Sequence, residues 1–387
     1  MRKFVLLLLA LGLVTPAFAA APVSVSITKL NRLLSGAKKK SDLKVALMLT
    51  GLQLSERASL TQLTTWEAEV KGPRARAALA ALVDESDFLD PPASDVVRNP
   101  APDNQTQAQI LARATDYVSK TIAQLPDFYA TRKTIDFEDE PSVSVPVQGL
   151  TNPLYTRVLT PYNGTTIESM YEPIHVTSTS STTITYRNGF EVDADSRGRQ
   201  KQSQSSARLT IQGEFGPILT IVMGDVKHGN LVFDHWERGA TGTLAVFHYW
   251  VPQPSAHWMV SLPQGAQTAH VYPAYHGEIS VDASSGAILR LTEIADFPPP
   301  YQAVEASVLV QYDSVILGDR HYICPVKCVA ISKAPILGTA AAHGAPPPVQ
   351  TLLSDVRFTQ YHLFRADMHI LTNADDPSAK SADAPQD

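Results

Sequence analysis

The sequence predicts an α+β protein in two parts, an N-terminal helical bundle followed by a large curved antiparallel sheet of half-barrel type. Three observations predict it. Between about residues 26 and 125, apolar side chains recur at helical spacing. Beyond residue 176 the pattern changes to short alternating runs separated by turn residues. The chain has 387 residues, 44% hydrophobic and 18% charged, which allows one to three domains and a substantial core. The expected division is a signal peptide over 1–19, a helical domain over 23–135 and a linker or edge segment over 136–175. An antiparallel β domain over 176–373 and a disordered tail over 374–387 complete it.

The first segment reads as an address. Met1-Arg2-Lys3 is a positive start, Phe4 to Val14 is an apolar run, and Ala17-Phe18-Ala19 supplies small residues for cleavage. The apolar run is shorter than the ~20 residues needed to span a bilayer. An exported product, periplasmic or extracellular, is therefore expected, with no transmembrane segment after cleavage. The net charge is −6; removing the first 19 residues leaves 30 positive against 38 negative, or −8. That balance argues against nucleic acid as a partner, because such binding depends on neutralising phosphates.

The helices follow in order. Ser41 and Asp42 precede Leu43, Ala46, Leu47, Thr50 and Leu54. Ser59 and Gln62 have capping-box spacing, and Leu60, Leu63 and Val70 fall along one face. Gly72-Pro73 ends that helix and opens an alanine-rich one, with proline at a tolerated first position. After a loop from Pro91 to Asp103, Ile110, Leu111, Ala114, Tyr117, Val118, Thr121, Ile122 and Leu125 mark a further helix that Pro126 stops. Four or five such helices bury their stripes as a bundle, and a groove for a partner helix is the functional alternative.

Strand signals begin with the Thr- and Ser-rich stretch Thr177 to Tyr186, then Phe190-Glu191-Val192. Leu209 to Ile211 and Ile218 to Met223 are short apolar runs. Leu244, Val246, His248 and Trp250 alternate with Ala245, Phe247 and Tyr249. Ile279 and Val281 lead through Asp282 to Gly286 into Ile288 to Leu291, a hairpin pattern. Val308, Val310 and Tyr312, and later Phe358, His362 and Phe364, alternate with polar neighbours. Strands this frequent indicate a large antiparallel sheet or partial barrel.

Few residues point to chemistry. His235-x-Glu237 and His276-x-Glu278 each place an imidazole and a carboxylate on one strand face, with about 6.6 Å between their alpha carbons. If the pairs met across a sheet they could ligate zinc; hydrogen bonding at the sheet edges is the plainer alternative. Asp193-x-Asp195-x-Arg197-Gly198 resembles the opening of a calcium loop, but Arg197 and Gln204 stand where ligands are required. Cys324 and Cys328 would lie about 13 Å apart on a regular strand, beyond the ~7 Å limit for a disulfide. A tight bend at Pro325-Val326 would bridge them; otherwise they are small core side chains. Trp236, Tyr249, Trp250, Trp258, Tyr272 and Tyr275 are candidates for lining an apolar pocket. The sequence holds no nucleophile elbow, phosphate-cradling glycine loop or His-Glu-x-x-His helix, and no cofactor is expected.

The stretches Tyr275 to Asp282 and Ser285 to Leu291, with Val310 to Gly318 and Tyr322 to Val326, resemble strands of exported lipoprotein-carrier-like half-barrels, the outer-membrane lipoprotein-sorting type. That resemblance covers the C-terminal half; the whole chain is similar to uncharacterised exported bacterial proteins. It implies a sheet curled around a cavity that holds acyl chains, with lipid or a lipidated protein as partner. The expected function is that of a noncatalytic envelope protein binding an apolar ligand or lipidated partner. The alternatives are a metal-dependent hydrolase built on the His-x-Glu pairs and a structural or interaction protein of the envelope.

Overall fold

The structure, a computed structural model, describes residues 22–143, 156–162, 165–193, 209, 213–240, 242–264, 267–299, 304–335 and 349–364. The expected signal peptide, the disordered tail and most of the calcium-like loop lie outside the described residues.

The chain opens with β1 (Val23–Val25), α1 (Ile27–Ala37), α2 (Asp42–Thr50), β2 (Leu52–Leu54), α3 (Leu60–Glu69) and α4 (Pro73–Ser86). β1 and β2 pair in parallel. The capping signals act as local physics requires. The Ser59 hydroxyl accepts from the Gln62 amide while the Gln62 side chain accepts from the Ser59 amide. The Asp42 carboxylate accepts from the Ala75 amide at 2.8 Å and so caps α4 from α2. Gly72 is required at that crossing: its φ is +99°, and a Cβ there would lie 2.4 Å from the Asp42 carboxyl carbon. Leu30, Leu34, Leu49, Leu63, Trp66, Leu79 and Val83 are buried together.

Next come β3 (Val96–Val97), α5 (Asn104–Asp116), β4 (Phe128–Val143), β5 (Thr156–Tyr162), β6 (Thr165–Arg187), β7 (Phe190–Asp193) and α6 (Pro217–Asp225). They are followed by β8 (Asn230–Arg238), β9 (Thr243–Val251), β10 (Val260–Gln264), β11 (Gln267–Val271), β12 (Ala274–Asp282) and β13 (Ile288–Asp296). The last are β14 (Glu305–Leu317), β15 (Arg320–Pro335) and β16 (Val349–Leu363). One large antiparallel sheet runs β3-β8-β9-β12-β13-β14-β15-β16-β4-β6-β5, with β7 also on β6, and it does not close. β10 and β11 form a separate hairpin. Among the described residues no helix is long and apolar enough to cross a membrane.

Both faces of the sheet receive helices. On one, Ala80 and Ala81 of α4 pack against Phe137, Leu309, Val329, Ile331 and Leu353. The same seam carries charge: Lys327 Nζ lies 2.7 Å from Asp84 Oδ1 and 2.7 Å from Asp87 Oδ2, all three side chains fully buried. On the other face, Ile110 and Ala114 of α5 and Ile218, Leu219 and Val222 of α6 pack over Tyr249, Tyr275, Ile279, Leu291, Val310 and Cys328.

This second layer departs from the sequence reading in three ways. α5 lies in the core shared with the strand-rich half, not among the first four helices. β4 begins at Phe128, and β4 to β6 occupy much of the expected linker. The run Ile218 to Met223 is helical instead of extended, because Pro217 sets the first turn and Ile218, Leu219, Val222 and Met223 then share one face. α5 and α6 pack on the sheet face where the hollow is expected. A cavity of about 10 Å³ lies among Tyr117, Leu125, Phe215, Leu219, Tyr312 and Pro325, near the size of one water and far below the ~300 Å³ of a typical ligand pocket.

Candidate functional site on the open face of the sheet

Strand alternation distributes β9 between two environments. Ala245, Phe247, Tyr249 and Val251 face α6 and are buried, whereas His248 and Trp250 face the other way and are exposed. Antiparallel register sets Glu278 of β12 and Val232 of β8 opposite His248, and His276 and Asn230 opposite Trp250. The β8 register shifts between Phe233 and His235, so Asp234 is the extra residue of a bulge that sets His235 opposite Val246, on the same face as Val232.

The outcome is a His-carboxylate cluster carried by three adjacent strands. His248 Nε2 is 3.4 Å from Glu278 Oε1 and 3.7 Å from Asp234 Oδ2. Donor atoms of all three residues lie within 4.8 Å of one another. Asp234 Oδ2 is also 2.6 Å from His235 Nδ1, and His235 Nε2 is 3.6 Å from Glu237 Oε2.

Two buried arginines brace the inner edge. Arg57, from the loop after β2, donates to Glu237 Oε2 at 2.6 Å, and its Nη1 stands 3.8 Å from Glu278 Oε2. Arg290 of β13 donates to Glu278 Oε2 at 2.6 Å and to the Asp87 carbonyl at 2.5 Å. The α1–α4 segment thus reaches the site through charge as well as packing. Burial pushes the Glu237 carboxyl up, but the neighbouring His235 imidazole and the Arg57 and Arg290 charges outweigh it and hold it below the usual range. His235 moves the other way: the adjacent Glu237 carboxylate raises it, burial opposes, and Asp234 adds to the rise.

The two predicted His-x-Glu pairs do not converge. His235, Glu237 and Glu278 join one network, but His276 turns to Asp296, with Nδ1 2.9 Å from Oδ2 at the exposed surface. Its place is taken by Asp234, His248, Arg57 and Arg290, none of which the spacing singled out. The one available signal was the alternation that puts His248 and Trp250 together on one face.

The six aromatics do not line one pocket. Tyr249 and Tyr275 are buried beneath α6, where Trp258 meets Tyr275 edge-on. Trp236 packs on Phe233 and donates to the Pro100 carbonyl. Trp250 and Tyr272 are exposed, each at 48%. Cys324 and Cys328 are free and buried with the α5–α6 layer. A register shift at Gln311/Tyr312 places the bulge between them without bridging them. Burial raises both thiols, Cys324 to about 12.

A second polar group lies under α6. The buried Asp225 carboxylate accepts from Tyr275 Oη and the His257 amide, each at 2.8 Å, and lies 2.6 Å from His257 Nδ1. Glu293 is wholly buried nearby, and its carboxyl oxygens have no hydrogen-bond partner among the described residues. Burial, then the Asp225 charge, pushes Glu293 up to about 8.

No protein-family model, curated protein or solved structure matches this chain.

Proposed function

We propose that this is an exported, noncatalytic envelope protein that binds an amphiphile or lipidated partner on its sheet surface instead of in an interior cavity. One observation carries the reading. Where helices leave the sheet uncovered, Val232 (56% exposed) and Trp250 (48%) share a face with His248, His276, Asp234 and Glu278. An exposed indole on a strand offers apolar contact at little conformational cost. The imidazoles and carboxylates around it suit a polar head group. Each methylene laid on the apolar part contributes up to ~0.8 kcal/mol.

The test is saturable binding of a fluorescent fatty acid and of a fluorescent lysophospholipid to the full chain. Wild type should bind at least one of them, and Trp250→Ala should weaken binding at least tenfold, with Trp236→Phe as the control. Absence of saturable binding by wild type, or equal binding by Trp250→Ala, refutes the proposal.

A further inference from the structure

We infer that Asp234, His248 and Glu278 form a binding site for a divalent transition-metal ion of the zinc class. The inference rests on the donor geometry alone and stands whether or not an amphiphile binds at Trp250.

Zinc binds nitrogen and carboxylate oxygen at about 2.0–2.2 Å in tetrahedral sites, which places neighbouring donors roughly 3.3–3.6 Å apart. The two separations from His248 Nε2, 3.4 and 3.7 Å, fall at or near that edge length. The third is within 4.8 Å. Among the described residues the His248 imidazole makes no hydrogen bond, so its nitrogen is free to ligate. The one imidazole nitrogen thus faces both carboxylates at ion-pair distance.

The strands fix two of the three positions. His248 and Glu278 are direct cross-strand partners, and Asp234 lies two residues beyond Val232, the β8 partner of His248. Outer contacts orient the carboxylates. Arg290 occupies Glu278 Oε2 and leaves Oε1 facing His248. His235 holds Asp234 from the side. Such outer contacts fix ligand orientation in metal sites. One imidazole with two carboxylates suits zinc, cobalt or nickel, whereas calcium takes six to eight oxygens. The His248 and Asp234 side chains are 53% and 44% exposed, which leaves a coordination position open to water or ligand.

The experiment titrates chelator-treated full-length protein with Zn²⁺ by calorimetry and with Co²⁺ by visible absorption. One equivalent of Zn²⁺ should bind, Co²⁺ should give an intense tetrahedral band that Zn²⁺ abolishes, and excess Ca²⁺ should not compete. His248→Ala and Asp234→Asn should each weaken Zn²⁺ at least tenfold while keeping the wild-type far-UV spectrum and metal-free melting midpoint. His276→Ala, which removes a histidine–carboxylate pair outside the cluster, should leave affinity unchanged. Zn²⁺ affinity no better than millimolar, or folded His248→Ala binding as tightly as wild type, overturns the inference. So does His276→Ala weakening Zn²⁺ as much as His248→Ala does.

Discussion

Replacing Glu293 by Gln should make the protein more stable at alkaline pH and change the slope of its stability against pH. Glu293 sits in β13 with no exposed surface and no hydrogen-bond partner among the described residues. The nearby Tyr249 hydroxyl is already committed to the Thr292 carbonyl at 2.6 Å. Ionising this carboxyl in place forfeits its hydration and sets it against Asp225, and these two causes raise it from an ordinary 4.5 to about 8.

The sign follows from proton linkage. The folded state holds its proton up to about pH 8, and the unfolded chain loses it near 4.5. Between those values folding takes up a proton. Stability is therefore fully retained below pH 4.5, falls as pH rises toward 8, and levels off above it. The loss from this one group between pH 5 and pH 8 is about 3 kcal/mol. Glu293→Gln removes that titration and keeps the shape. Its amide is as unpartnered as the protonated carboxyl it replaces, so the two profiles should lie close together near pH 5 and separate toward pH 8, with the variant the more stable. Urea unfolding of both proteins at half-unit intervals from pH 5 to 8.5 measures the difference. Profiles that stay parallel within about 1 kcal/mol would show that Glu293 is solvated or paired, and the reasoning fails.

Two further outcomes follow from the buried charges and thiols. Lys327→Met should destabilise the protein by ~3–5 kcal/mol, because it strands the carboxylates of Asp84 and Asp87 without a cation. Adding Asp84→Asn and Asp87→Asn should recover most of that in urea unfolding, and a single-variant loss below about 1 kcal/mol would refute the account. Cys324 and Cys328 should resist a thiol-specific disulfide reagent at pH 8 until the chain is unfolded, because burial holds them protonated; rapid labelling of two thiols in native protein would contradict it.

Much of the fold was legible because it is written in short-range pattern. The capping box at Ser59 and Gln62 and the turn from Asp282 to Gly286 each depend on residues a few positions apart. The Asp282 carboxylate accepts from the Ser284 amide at 2.8 Å, and Gly286 takes the positive φ the turn needs. Even within this range one signal went unread. Asn188-Gly189 joins β6 to β7, with φ of 52° and 83°, the pair of left-handed residues that two-residue hairpins select. The helix α6 was misread for another reason. Six residues of isoleucine, leucine, threonine, valine and methionine satisfy strand and helix patterns alike, and only the Gly216-Pro217 start distinguishes them.

The site was illegible for a deeper reason, which also explains why the two His-x-Glu pairs do not meet. A two-residue spacing guarantees that His276 and Glu278 share a face, but not that they share a neighbourhood. Along β12 they are two positions apart, and each answers to a different cross-strand partner, Trp250 for one and His248 for the other. The spacing rule identified the right carboxylate and the wrong imidazole, because the relevant neighbour came from the next strand. Asp234 follows Val232 onto the His248 face, but regular alternation would have put His235 on the opposite one. The bulge suspends that alternation for one residue. Arg57 enters from about 180 residues away in sequence to meet Glu237. A cluster drawn from a bulge, two paired strands and a distant loop has no linear signature. Its chemistry therefore depends on register: an insertion that slipped β8 by one residue would remove Asp234 from the cluster while leaving every predicted strand intact.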